Sequence, residues 1–208
     1  MGDLKEALLE VLDRSRTLGF LGPGPVEDHL HHARAFARAL DVSGPPQRVL
    51  DLGSGGGVPG LVLAADWPEA RFTLLDGSLK RCDFLLEAVE KLGWSDRVTV
   101  LCGRAEDLGH ELMLRASFDL VVARSFAAPA VTAECAACFM EPGAMLVVSE
   151  PPEDLAGDRW NPQGLAELGL GPARILNEAP RLAVMELVEI CPERFPRRVG
   201  VPSKRPLF

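Results

Sequence analysis

The sequence predicts an α/β protein: a mostly parallel seven-stranded sheet that ends in an antiparallel hairpin, fronted by a helical N-terminal cap. Three observations predict it. Short β-rich runs alternate with helical periods through the middle of the chain, a glycine-rich turn directly follows the first run, and the last two runs are separated only by Glu178 to Arg181.

At the start, MGDLKEALLEVLDRS repeats apolar positions at Leu4, Leu8, Val11 and Leu12 with acids between, the pattern of an amphipathic helix and not of an apolar leader. LGFLGPGPVEDHL then breaks the helix with three glycines and two prolines, an Ala-rich stretch from Val26 to Leu40 resumes it, and Ser43 to Pro46 breaks it again. Residues 1–45 are therefore assigned to the cap. Strands are expected at Arg48–Leu52, Arg71–Leu75, Arg97–Cys102, Phe118–Ala123 and Ala144–Ser149, and helices between them imply parallel pairing. After the second strand, Ser78 stands ready to cap a helix with Leu79, Cys82, Leu85, Leu86, Val89 and Leu92 inward and Gly93 as its stop. Ala173–Asn177 and Leu182–Ile190 are too close for a parallel crossover, so they form the antiparallel hairpin. Residues 46–191 make the main domain and 192–208 a basic tail.

Composition narrows the function classes. Apolar residues are 47% and charged residues 25% of 208, and no apolar run approaches the roughly 20 residues of a membrane span. A cytoplasmic protein without a membrane partner is expected. Five cysteines, Cys82, Cys102, Cys135, Cys138 and Cys191, are an odd number scattered through expected strands and helices, which suits reduced, buried thiols better than disulfides. The net charge of -8 is the wrong sign for a protein that coats nucleic acid. Its distribution says more: from Pro192 to Phe208, Arg194, Arg197, Arg198, Lys204 and Arg205 oppose a single acid, Glu193.

The chemistry concentrates at the ends of the expected strands. VLDLGSGGGVPG, Val49 to Gly60, sets Asp51 and then Gly53, Ser54, Gly55, Gly56 and Gly57 just before a helix that Pro59 could start. Asp76 closes the second strand, where a carboxylate can accept hydrogen bonds from both ribose hydroxyls of an adenosine. Gly55, Gly57 and Gly60 also satisfy the dinucleotide pattern G-x-G-x-x-G. Asp51 argues against that alternative, because a carboxylate there repels a pyrophosphate and suits the amino and sulfonium end of S-adenosylmethionine, while Pro59 removes an amide donor. Five parallel strands closed by a hairpin are likewise the sheet of a Rossmann-like class I methyltransferase. After the third strand, backbone groups at Ala105 and Glu106 can read the edge of an adenine, although a plain solvated turn accounts for the residue types equally well. Arg124 ends the fourth strand, where a ligand crevice opens; pairing with an acid such as Glu150 is its competing role. His29, His31 and His32 lack the acids or cysteines that would complete a metal site, and none is assigned. Cys135 and Cys138, within ECAACF, read as small packing residues.

DLGSGGGVPGLVLA, FTLLDGSLKRCDFL, GRAEDL, FDLVVARSFA and RFPRRVGVPSKRPL together resemble the glucose-inhibited division protein B family, bacterial methyltransferases that modify N7 of a guanine in small-subunit ribosomal RNA. The resemblance covers Val49 to about Ala127 and the tail. It implies S-adenosylmethionine as cofactor, bound at Gly53, Val58, Ala105, Glu106 and Arg124 with Asp76 near the ribose, and ribosomal RNA or the small ribosomal subunit as partner. Arg124 is expected to orient donor and acceptor, residues Val26 to His32 to close over the pocket, and Arg197, Arg198, Lys204 and Arg205 to meet RNA. Guanine N7 carries a free lone pair at neutral pH, so alignment matters more than a general base.

Two departures point to a changed acceptor. The segment before Val26 lacks the family's tryptophan-asparagine and asparagine-leucine-threonine signatures, and Ser149-Glu150-Pro151-Pro152 stands where a lysine-glycine pair is usual. A negative site in place of a positive one weakens contact with phosphates and favours a cationic or neutral acceptor. A methyltransferase of a small molecule and a non-catalytic RNA- or ribosome-binding module of the same fold are the alternatives.

Overall fold

In the computed structural model, residues 2–40, 44–151 and 159–208 are described. Ser43 of the expected break and Pro152 lie outside them. The elements run α1 (Gly2–Thr17), α2 (Val26–Arg38), β1 (Arg48–Leu52), α3 (Gly60–Asp66), β2 (Arg71–Asp76), α4 (Leu79–Lys91), β3 (Val98–Cys102), α5 (Ala105–Leu108), β4 (Phe118–Ala123), α6 (Pro129–Ala137), β5 (Met140–Ser149), α7 (Pro162–Glu167), β6 (Arg174–Leu176), β7 (Leu182–Glu186) and α8 (Val201–Lys204). No helix among them is long and apolar enough to cross a membrane.

The strands form one seven-stranded sheet in the order β3-β2-β1-β4-β5-β7-β6. The first five are parallel, while β7 pairs antiparallel with both β5 and β6. Strand order reverses between β1 and β4, whose register sets Asp51 beside Val122. A doubly wound sheet opens its ligand crevice at the carboxyl ends of such a strand pair, because the crossovers on either side leave in opposite directions.

Alternation along the strands builds two cores. Val49, Phe72, Leu74, Leu120, Val122, Val147 and Val184 face α1 to α4, whereas Leu50, Leu52, Leu75, Val121, Ala123, Leu146 and Met185 face α6, α7 and the tail. Period two delivers successive residues to opposite faces, so strands covered on both sides read as continuous apolar runs.

Three expectations shift in detail. β5 begins at Met140, not Ala144, because a register irregularity opposite Phe118–Leu120 lets the chain carry Glu141-Pro142-Gly143 through the strand. That tripeptide has the composition of a turn, which hides the strand in the sequence. On α4, Leu79 and Leu86 are exposed while Phe84 and Ala88 are buried, and the Phe84 ring meets Phe20 edge-on at 5.6 Å. The cap turns the buried stripe by about one position. Finally, β7 stops at Glu186, leaving Val188 and Ile190 exposed.

Candidate active site

The turn after β1 folds back on β2: the Gly53 and Ser54 amides both donate to the Leu75 carbonyl, at 2.8 and 3.0 Å. This requires Gly53 at φ 75°, a conformation L side chains seldom adopt, and a Cβ there would overlap the Phe126 ring. The result is a cleft of about 300 Å³ lined by Gly53–Gly56 and Val58, by Phe20, Leu21 and Gly22 of the cap, and by Arg81, Arg124 and Ser125. A second cleft, of about 520 Å³, is lined by Asp28, His29, His32, Phe126, Ala127, Ser149, Glu150 and Arg159. Arg124 and Ser125 line both.

Asp51 does not face either cleft. It is wholly buried beneath the loop, where its Oδ2 accepts the Gly60 amide at 2.8 Å and its backbone carbonyl accepts the Ser54 hydroxyl at 2.8 Å. Gly60 is glycine because a Cβ there would collide with that carboxylate. The other oxygen, Oδ1, is buried without a hydrogen-bond partner among the described residues. Burial pushes the carboxyl up to about 7, against hydrogen bonds from Gly60 and Ser54 and the charge of Arg124. Asp51 therefore sits beneath the glycine loop and lines neither cleft.

Asp76 organises the same loop from the next strand. Its carboxylate accepts the Gly55 and Ser78 amides, each at 2.9 Å, with the Arg81 guanidinium 3.7 Å away. These bonds join the glycine turn to the start of α4 and leave lone pairs for further donors. Ser78 is the N-cap residue of α4 but makes no side-chain capping bond; Asp76 takes its amide instead.

Ala105 and Glu106, at the start of α5, are buried and line neither cleft. The Glu106 carboxylate turns to the tail: it accepts from the Gly200 amide and from the Arg104 guanidinium, each at 3.1 Å, and Arg104 helps hold its acid below the usual range against the opposing cost of burial.

Arg124 is mostly buried, and burial lowers its affinity for the proton while the Asp51 charge opposes the shift. Its only hydrogen-bond partner among the described residues is His29, with Nη2 3.3 Å from Nδ1. It makes no pair with Glu150. That carboxylate instead accepts the Trp160 indole N–H at 2.9 Å and pairs with Arg159 at 3.0 Å. Arg159 thus offsets the acid that stands in place of the usual lysine-glycine pair, which sequence reasoning missed because the cation arrives from beyond residue 158. Ser125 adopts φ 55°, a strained backbone for a serine, at the point where the two clefts meet.

The tail residues divide. Arg197 clamps the fully buried Glu134 of α6, its Nη2 at 2.6 Å and Nε at 2.9 Å from the two carboxylate oxygens, and its amide also donates there at 2.8 Å. Arg198, Lys204 and Arg205 are exposed. Sequence reasoning also passed over Ser15, whose hydroxyl donates to the Gly56 carbonyl at 2.9 Å and fastens α1 to the loop, and the Phe20–Gly22 rim. An isolated serine on an amphipathic helix carries no signal of its partner.

The family model described as rRNA small subunit methyltransferase G matches residues 26–150. Among curated relatives, the ribosomal RNA small subunit methyltransferase G of Deinococcus radiodurans is 40% identical over 77% of this chain and 66% of its own length, and that of Deinococcus deserti 36% over 77% and 68%. The chain thus spans about two thirds of those relatives; against the protein of the same name from Syntrophomonas wolfei it is 31% identical over 98% of this chain and 96% of the relative. Among solved structures, cofactor-bound Rv0187 from MTB superimposes with a TM-score of 0.62 at 20% identity, covering 88% of this chain and 90% of that one. The O-methyltransferase from Bacillus cereus in complex with SAH gives 0.59 at 18%, covering 87% and 90%. These two likenesses concern the fold.

Proposed function

This chain belongs to the rRNA small subunit methyltransferase G family, and we propose on that premise that it transfers a methyl group from S-adenosylmethionine to N7 of a guanine in 16S ribosomal RNA. One observation carries the assignment: two clefts meet at a single guanidinium, that of Arg124, at the sheet's topological switch point. A donor in one and an acceptor in the other face each other across it.

The glycine cleft suits the cofactor. Backbone from Gly53 to Gly56 lines it, the Asp76 carboxylate beside the loop keeps lone pairs that would accept from ribose hydroxyls, and the buried Asp51 beneath the loop would favour the cationic end of the cofactor. S-adenosylmethionine, when bound, supplies an electrophilic methyl on sulfur. Gly53, Ser54, Gly55 and Val58 would hold it, and backbone groups at Ala105 and Glu106 would read the adenine edge. Arg124 orients the guanine with its remaining N–H groups, which can donate to the O6 beside N7. No residue has to remove a proton, since N7 attacks with its own lone pair. Residues 1–45 shape the rim of both clefts, residues 46–191 hold the donor, and the tail presents Arg198, Lys204 and Arg205 to phosphate. The cytoplasm, where ribosomal subunits mature, is the expected location.

Calorimetric titration with S-adenosylhomocysteine tests the donor site, and methyl incorporation into ribosomal RNA from cells lacking this modification tests the acceptor. Saturable binding weakened about tenfold or more in Asp76→Ala is expected, since that change frees two loop amides at once. Unchanged affinity in the variant, or no incorporation by a wild-type protein that binds the cofactor product, would count against the donor and acceptor assignments respectively.

A further inference from the structure

We propose that His29 is a positioning residue that fixes the orientation of Arg124 and couples it to the cap; the inference rests on the methyltransferase reading given above. His29 lies in the first turns of α2, 9% exposed, and both of its ring nitrogens are engaged. Nε2 stands 3.1 Å from the Gly22 carbonyl, and Nδ1 stands 3.3 Å from Arg124 Nη2.

The chemistry of these partners fixes the tautomer. A carbonyl can only accept, so Nε2 must carry the proton and donate to Gly22. A guanidinium can only donate, so Nδ1 must present its lone pair to Arg124. One neutral imidazole therefore spans two groups of opposite hydrogen-bonding character, which neither the other tautomer nor the imidazolium can do.

The position of this bridge gives it a consequence for catalysis. Gly22 belongs to the rim of the glycine cleft, His29 lines the second cleft, and Arg124 lines both. With Nη2 tethered to His29, the remaining guanidinium N–H groups of Arg124 are held in one orientation toward the junction. A side chain with several free torsions is thereby placed in advance for the acceptor, which lowers the entropy lost when the acceptor binds. The nearby His32 does not share the role: among the described residues it makes no hydrogen bond to Arg124, and its Nε2 is buried without a partner.

The test compares His29→Ala with His29→Asn. Both lose the bond to Gly22, but asparagine Oδ1 occupies the place of Nδ1 and can still accept from Arg124. Thermal melting should fall equally in the two, while the rate of methyl transfer at saturating S-adenosylmethionine should fall about tenfold or more in the alanine variant and be largely rescued in the asparagine variant. Equal rates in the two variants would overturn the proposal. A second measurement does not depend on activity: in nitrogen-15 NMR spectra, the Arg124 guanidinium should show hindered rotation in the wild type and in His29→Asn, and free rotation in His29→Ala. Free rotation already in the wild type would overturn the proposal. Absence of transfer by the wild type with hindered rotation retained would refute the activity and leave the bridge standing.

Discussion

Asp51 and Asp76 stand near the ends of neighbouring strands, both buried and with the same functional group, yet their partners give them different work. Asp76 accepts two amides, one on each carboxylate oxygen, whereas Asp51 lies under the loop with one oxygen unpartnered among the described residues. A carboxyl raised from 3.8 to about 7 binds its proton more tightly folded than unfolded, so its contribution to stability is complete below about pH 4 and is lost as pH rises through 7. Asp51→Asn removes that dependence while keeping an acceptor for the Gly60 amide. The variant's melting temperature, relative to wild type, should therefore be higher at pH 8 than at pH 5; an offset equal at both would show that Asp51 does not titrate in this range. The sequence sets Asp51 at the head of the glycine loop and Asp76 at the end of the second strand. It cannot say which backbone amides each carboxylate takes, because those partners are set by how α3 and α4 pack on the strands.

At the scale of elements, the tail is both a strap and a cationic surface. Arg197 neutralises Glu134, which is fully buried, and Arg115 donates to the carbonyls of Cys191, Pro192 and Phe195 at 2.8 to 3.0 Å. Arg197→Ala leaves a buried carboxylate unpaired, at a cost of about 3 kcal/mol read from denaturant unfolding. Arg198→Ala with Lys204→Ala should leave stability within about 0.5 kcal/mol of wild type and lower the salt dependence of RNA binding by about one unit of slope per cation removed. An unchanged slope would mean these cations do not meet phosphate. Charge counting marks the tail as basic without separating the two kinds of arginine, since Glu134 is 63 residues away from its partner. The strands and the hairpin, by contrast, are legible from alternation and spacing, while the early end of β7 and the Glu141-Pro142-Gly143 passage escape, the latter because local turn chemistry there is overridden by pairing with β4.

Over the whole molecule, two cores on opposite faces of one sheet leave four of the five thiols buried and Cys102 exposed at the end of β3. A thiol reagent should therefore modify one cysteine rapidly in the native protein and all five after unfolding; rapid modification of Cys135 or Cys138 in the native state would show that the α6 core opens. The fold class and the glycine turn after β1 were legible in the sequence, because strands, helices and turns depend on residues close together in the chain, where periodicity and turn chemistry act. The burial of Asp51, the capture of Arg197 by Glu134, the offset of Glu150 by Arg159 and the His29 bridge were settled only by tertiary structure. Each joins groups brought together by packing, and a charge or ring nitrogen shows its partner only when the elements carrying both have been assembled.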